Sequence, residues 1–192
     1  MDGDLGGGSM VEEKMRWISG SGGPLILLPE ELLEHWGGLD APESGRVVQA
    51  KVRWDPDGPV TDYDRACDVE APLAGIDVGA GSGIILGGEP AATTFLARPN
   101  GGLLVRWIRA ESEGEVARHV EGRTFEPAGD DVALIEVRPG PLILFDAACP
   151  GYEVDADHIV IDLHPGRYMA SAAKFDPDES TELVLITLER VG

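Results

Sequence analysis

The sequence is poor in the residues that most catalytic and metal-binding motifs require. Its two cysteines, Cys67 and Cys149, form no CxxC pair, so the usual spacing of a zinc or redox site is missing. Its four histidines form no HExxH motif and no His pair at metal-ligand spacing on one helix. We therefore predict no catalytic residues, no cofactor and no metal, and a protein that is not an enzyme. A hydrolase using Cys149 with His158 or His164 stays open as a minor alternative.

Basic residues and long apolar runs are also scarce. Fifteen Lys and Arg residues stand against 35 Asp and Glu residues, which gives a formal net charge of −20 at pH 7. Such a charge repels nucleic acid and anionic membranes, and it attracts a basic partner most strongly at low salt. No apolar run reaches the roughly 18 residues of a membrane helix, and no signal-peptide pattern opens the sequence. We expect a soluble cytoplasmic protein, although acidity also serves solubility alone.

Short apolar segments are abundant, and one six-residue phrase, that is, one short stretch of sequence, occurs twice. Residues 23–28 read Gly-Pro-Leu-Ile-Leu-Leu, and residues 140–145 read Gly-Pro-Leu-Ile-Leu-Phe. Each copy is followed by Ala-Cys, by an Ile-Asp step with Gly four residues after the Asp, and by an apolar run at 103–108 or 183–188. This order predicts one β-rich unit used twice, with chance convergence as the alternative.

The spacing of strand and turn signals predicts the fold class. Many short strands at intervals of about 8–12 residues indicate a mainly β protein, α+β at the margin. We expect two similar halves, residues 15–110 and 130–192, that form a sandwich or an open barrel with one or two short helices. Residues 15–192 then make one domain, and the Gly-rich residues 1–14 read as a flexible tail or an appended linker.

Local patterns predict individual elements. Pro29-Glu30-Glu31 opens a short helix, and Ser112 with Glu115 predicts a capping box at a second one. Residues 47–54 alternate apolar with polar, which predicts a strand with one exposed face. The glycines of residues 79–83 predict a hairpin turn rather than a dinucleotide loop, because no helix pattern follows them.

An acidic segment with nearby aromatics is the best candidate for recognition. Residues 55–64 are rich in turn-forming and acidic residues, and Trp36 and Trp54 lie next to turns where a ring edge could be exposed. We predict Trp107 as the most buried Trp. Clustered charge and aromatic edges on a loop suit a partner-binding patch. The predicted patch consists of Trp36, Trp54, Asp55, Asp57, Asp62, Tyr63 and Asp64.

The same acids could also serve calcium. Carboxylates are the ligands that Ca²⁺ prefers, but the Gly and Glu of an ordered calcium loop are missing, which favours a solvated loop with an Asx turn. A β-sandwich that binds a small ligand or carbohydrate, with or without calcium, stays open as the alternative function.

Three strings now suggest a family. They are Trp17-Ile18-x-x-x-Gly-Gly-Pro24, Asp62-Tyr-Asp-Arg-Ala-Cys67 and Leu103-Leu-Val-Arg-Trp107. In this order, over about residues 16–109, the chain resembles the Immunity protein 21 family. The resemblance implies a bacterial immunity protein that binds a cognate toxin domain and neutralises it by occlusion, without turnover. A negatively charged inhibitor would be steered onto a basic toxin face. Neither the binding residues nor the oligomeric state follows from the resemblance.

Overall fold

Two open antiparallel sheets pack face to face. The computed structural model describes residues 15–125, 131–154 and 157–192. The strands are β1 Leu25–Pro29, β2 Ala74–Val78, β3 Gly81–Leu86, β4 Ala92–Arg98, β5 Gly101–Arg109, β6 Val132–Val137, β7 Leu142–Asp146, β8 Ile159–Ile161, β9 Gly166–Phe175 and β10 Glu182–Arg190. The first sheet has the order β2-β3-β1-β7-β8, and the second has the order β4-β5-β10-β9-β6. The prediction of a mainly β fold is confirmed, and the sheets are not closed into a barrel.

The space between the sheets holds the largest core cluster. Alternate residues of both sheets point into it, which is why β6 shows a strict exposed–buried alternation from Val132 to Val137. Its members include Leu25, Leu27, Ile84, Leu86, Leu104, Ile135, Leu142, Leu144, Ile161, Tyr168, Ile186 and Leu188.

Short helices cover both outer faces of the sandwich. A 3₁₀ turn, Glu30–His35, and helix α1, Asp62–Cys67, lie over the first sheet, whereas helix α2, Glu113–Val120, lies over the second. A second 3₁₀ turn spans Gly151–Glu153. The central strands β1 and β7 are therefore buried on both faces, and this explains why their sequences are continuous apolar runs instead of alternating ones.

The two copies of the repeated phrase pair with each other. β1 runs antiparallel to β7 with Leu27 opposite Leu144, which are matching positions of the two copies. In the second sheet β5 pairs with β10, and Val105 lies opposite Leu185, again matching positions of the two closing runs. The duplication and its boundaries stay a prediction. Residues 1–14, 126–130 and 155–156, which include the predicted tail, lie outside the described residues.

The predicted strand over residues 47–54 is wrong. Neither helix nor strand occurs between His35 and Asp62, and no neighbouring strand offers hydrogen bonds to this part of the described chain. Val47 is 82% exposed and Val52 is 52% exposed, so the alternation has no buried face. The residues alternate as they would in a β-strand, but no neighbouring strand pairs with them, so no strand forms.

Other local predictions fared unevenly. The hairpin between β2 and β3 and the short helix after Pro29 are confirmed. Ser112 caps α2 by accepting the Glu115 N–H, but the Glu115 carboxylate accepts the N–H of Glu111, so the capping box is only half formed. Strand β4 and helix α1 were not predicted.

Candidate functional site

The longest segment without regular structure lies against α1. Residues 36–61 contain neither helix nor strand, and a loop this long in a compact domain is usually functional. We call residues 46–58 the braced loop, because side chains of α1 and its C-cap residue hold its backbone in place. The segment therefore has a fixed shape despite its lack of secondary structure.

Helix α1 exists because its first residues form a complete capping box. The Thr61 hydroxyl accepts the Asp64 N–H, and the Asp64 carboxylate accepts the Thr61 N–H. The pattern Thr-x-x-Asp at residues 61–64 carried this signal, but the surrounding Pro, Gly and Asp turn residues obscured it. The helix places three carboxylates, Asp62, Asp64 and Asp68, toward the preceding loop.

Asp62 is a buried charge with two arginine partners. It is 2% exposed and lies 2.5 Å from Nη2 of Arg46 and 2.9 Å from Nη1 of Arg65. Its Oδ2 also accepts the Gly37 N–H at 2.9 Å. Because a buried carboxylate needs such partners, this cluster fixes the entry of the braced loop to the start of α1.

Asp64 and Asp68 hold the middle of the braced loop. Asp64, 1% exposed, accepts the Trp54 N–H through Oδ1. Burial alone raises the pKa of Asp64, but the hydrogen bonds from Trp54 and Thr61, with the nearby Arg53, outweigh it and leave the pKa below its ordinary value. Asp68 accepts two successive loop N–H groups, those of Lys51 and Val52, at 2.6 Å each.

An aromatic contact completes the brace. The Trp54 ring stands edge-to-face on Tyr63, with 5.8 Å between the ring centroids and 77° between the planes. Tyr63 is buried, and burial, followed by the neighbouring Cys67, raises its pKa to about 12. Trp54 itself is 68% exposed, so one side of its ring rests on the protein while the rest faces solvent.

The predicted seven-residue patch divides into an exposed part and a buried part. Trp54, Asp55 and Asp57 are exposed, and Oδ1 of Asp55 accepts the Asp57 N–H at 3.0 Å, which is the predicted Asx turn. The buried part consists of Trp36, Asp62, Tyr63 and Asp64. None of these four residues faces solvent, and Asp62, Tyr63 and Asp64 contact the braced loop. The binding role of the patch stays a prediction.

The expected exposed edge of Trp36 is wrong. Its side chain is fully buried, and its indole Nε1 donates to the carbonyl of Ala147 at 3.0 Å. Trp107, predicted as the most buried Trp, is only partly buried and contacts Trp17 edge-to-face. Proximity to a turn in the sequence misled the prediction, because Trp36 packs in the core cluster over the first sheet, with residues that are distant in the chain.

Most of the carboxylate oxygens that could have bound Ca²⁺ in the acidic segment already have other partners. The oxygens of Asp62 and Asp64 are already occupied by hydrogen bonds and arginines, and Asp55 accepts a backbone N–H. Within residues 15–125, 131–154 and 157–192, the group of donors close enough to share an ion lies elsewhere, on α2 and the β9–β10 turn. The acidic loop therefore braces the backbone with its carboxylates instead of assembling them around a cation.

A buried arginine was missed by the sequence analysis. Arg106 on β5 is 2% exposed and donates to the carbonyls of Pro72, Gly87 and Glu89 at 3.3, 2.5 and 2.8 Å. Burial lowers its pKa to about 10. These carbonyls lie in the segments before β2 and after β3, so one side chain of the second sheet ties down both loops of the first. The sequence signal that could have revealed Arg106 is the position of a charged residue inside the apolar run of residues 103–108.

Together these features define a β-sandwich protein with short helices on both outer faces and one exposed loop that is held by the carboxylates of the following helix. The family model of Immunity protein 21 matches residues 16–181, well beyond the segment that the sequence strings covered. The chain therefore belongs to the Immunity protein 21 family. Comparison with curated proteins and with solved structures found no match. Among the described residues, the helices are too short and too polar to cross a membrane.

Proposed function

We propose that this protein is an immunity protein that binds a cognate toxin domain in the cytoplasm of the producing cell and blocks it without catalysis. The family supports the general role. The exposed side of the braced loop supports the binding surface, because it combines apolar, aromatic and acidic side chains on a backbone held by buried carboxylates. Its exposed side chains include Val47, Val52, Trp54, Asp55 and Asp57, with the basic Lys51 and Arg53 beside them.

The set of hydrogen bonds that holds the loop backbone is the single observation that carries this surface. A loop that is already ordered loses little conformational entropy on binding, so its contacts contribute more to affinity. Trp54 is suited to be the anchor, because Trp residues flanked by polar groups dominate many interfaces. Its support by Tyr63 fixes the ring before a partner arrives.

Charge supports a basic partner. The protein carries a net charge of −20, and a cavity of about 320 Å³ beside the braced loop is lined by three acids, Glu34, Asp40 and Glu43, together with His35 and Arg46. A basic toxin face would be steered toward this side of the molecule, and the association rate would fall as salt rises. Lys or Arg side chains of the toxin match the chemistry of this cavity.

The test is binding to the toxin domain encoded beside this protein. Association and dissociation rates are measured at low and high salt for the wild type, Trp54→Ala and the double variant Asp55→Asn/Asp57→Asn. We expect Trp54→Ala to weaken binding by about 2 kcal/mol, mainly through faster dissociation. The double variant should slow association and reduce its salt dependence.

Matched controls lie on the edge strands of the sandwich. Asp162→Asn/Glu136→Gln likewise removes two negative charges, from exposed positions just after β8 and on β6, and Leu134→Ala removes an apolar side chain that is 52% exposed. These variants should bind as the wild type does. Equal binding by folded Trp54→Ala would refute the loop as the interface, and no binding by the wild type would refute the proposed partner.

A further inference from the structure

A second polar cluster lies on the opposite side of the sandwich, over the second sheet. Glu115 and His119 are four residues apart on α2 and so share one face, and Asp178 reaches them from the turn between β9 and β10. His119 Nε2 is 3.0 Å from Asp178 Oδ2. One donor atom from each of the three residues lies within 4.8 Å of the others.

Two buried polar atoms at this cluster lack a well-aligned hydrogen bond. Thr181 is fully buried, and its hydroxyl lies beside the carboxylates of Glu115 and Asp178 without forming a well-aligned hydrogen bond to either of them. The His119 Nε2 atom is also buried, and its direction toward Asp178 does not make a hydrogen bond. Buried polar atoms are nearly always paired, and an ion is one of the partners that explains such exceptions.

The remaining atoms of the cluster are already oriented. Asp178 Oδ1 accepts the N–H and hydroxyl of Ser180 and the N–H of Thr181, all at 2.8–2.9 Å. Glu115 accepts the Glu111 N–H at 2.7 Å, and its Oε1 lies 2.9 Å from the same Ser180 hydroxyl, whose single hydrogen it shares with Asp178. Such outer contacts orient the ligands of metal sites. They leave Asp178 Oδ2 facing the imidazole.

We propose that Glu115, His119 and Asp178 bind a divalent transition-metal ion with the chemistry of Zn²⁺. Imidazole nitrogen and carboxylate oxygen are both ligands of Zn²⁺, whereas Ca²⁺ and Mg²⁺ prefer oxygen ligands alone. A tetrahedral ion with bonds of about 2.0–2.2 Å holds its donors roughly 3.3–3.6 Å apart, which small side-chain rotations reach here. The ion would link α2 to the β9–β10 turn, with a water as the fourth ligand.

The site is tested with the metal alone on the full chain. After treatment with a chelator, the protein is titrated with ZnCl₂ by calorimetry, and its thermal unfolding is recorded with and without the ion. We expect one site and, at a hundredfold excess over Kd, a rise in Tm of about 5–10 °C. Co²⁺ should give visible absorption bands typical of four-coordinate nitrogen and oxygen ligation, and Mg²⁺ should not compete.

Two variants and one control decide the assignment. His119→Gln, which keeps a good helix former on α2, should weaken Zn²⁺ binding by about a hundredfold or more. Asp178→Asn should also weaken Zn²⁺ binding. Its side-chain oxygen can still accept the hydrogen bonds of the β9–β10 turn, so this variant provides the test if His119→Gln does not fold. His164→Gln removes an exposed histidine after β8 and should leave binding unchanged. Absence of Zn²⁺ binding by the wild type, or equal binding by a folded His119→Gln or Asp178→Asn variant, would overturn the proposal.

Discussion

Replacing Asp64 by Ala tests whether the braced loop is held as the structure indicates. The carboxylate accepts the N–H and hydroxyl of Thr61, at 2.8 and 3.0 Å, and the N–H of Trp54. A hydrogen bond to a charged group contributes about 1.5–3 kcal/mol, and loss of a helix cap costs about 1 kcal/mol. Water can reach the Trp54 amide once the loop moves, so the losses do not add fully.

We therefore expect Asp64→Ala to lower the free energy of unfolding by about 2–4 kcal/mol, measured by urea denaturation. Tm should fall by about 5–15 °C for a chain of this size. Amide hydrogen exchange provides the local measurement. Exchange at Trp54 should accelerate more than exchange in β1, because the brace fails before the core does.

Asp57→Ala is the matched control. Asp57 is exposed, and its carboxylate makes none of the hydrogen bonds found among the described residues. Its replacement should change stability by less than about 0.5 kcal/mol. An Asp64→Ala loss of similar size, or unchanged exchange at Trp54, would show that the carboxylate does not hold the loop.

Three further predictions concern the same side of the molecule. Trp36→Phe should cost about 2–4 kcal/mol in urea unfolding, since it leaves a cavity and an unpaired Ala147 carbonyl; a loss below about 1 kcal/mol would contradict this. Gly38→Ala should cost more than about 2 kcal/mol, because Gly38 has φ of +54° and its new Cβ would meet the Ala148 carbonyl; an unchanged Tm would refute it. The lowered pKa of Asp64 means that its contribution is complete above the ordinary value of 3.8 and is lost as pH falls through the folded value. The stability gap between wild type and Asp64→Asn should therefore shrink in acid, and a gap that stays constant down to pH 2 would contradict the assignment.

The β framework was predictable because its signals are local and strong. The repeated apolar phrase became β1 and β7, and the glycines of residues 79–83 gave the hairpin between β2 and β3. Strand propensity alone did not predict the structure of the braced loop correctly. Residues 47–54 carry a strand pattern, but the amides of Lys51 and Val52 are paired with Asp68, which removes the need for a partner strand.

The binding role of the candidate site stays a prediction, but the structure does show how its residues are arranged. Trp54, Asp55, Asp62 and Asp64, which the sequence analysis grouped together, divide into an exposed pair and a buried pair. Only the fold shows that Arg46 reaches Asp62 and that the two later acids turn inward. Exposure depends on what packs over a residue, and a contact such as that of Trp36 with Ala147, 111 residues apart, leaves no local signal.

The pairing of β1 with β7 and of β5 with β10 interleaves early and late parts of the chain in both sheets. During synthesis, β1 lacks a neighbour on one side until residue 146 has emerged, and β5 lacks one until residues 182–190 have emerged. Such distant pairings make folding slow and leave apolar strands unpaired while it proceeds. Trp36 also waits for Ala147, just past β7, before it can dock. The first sheet, on which α1 packs, is thus completed late, whereas the contacts that brace the loop, from Arg46 to Asp68, can form as soon as that segment has emerged.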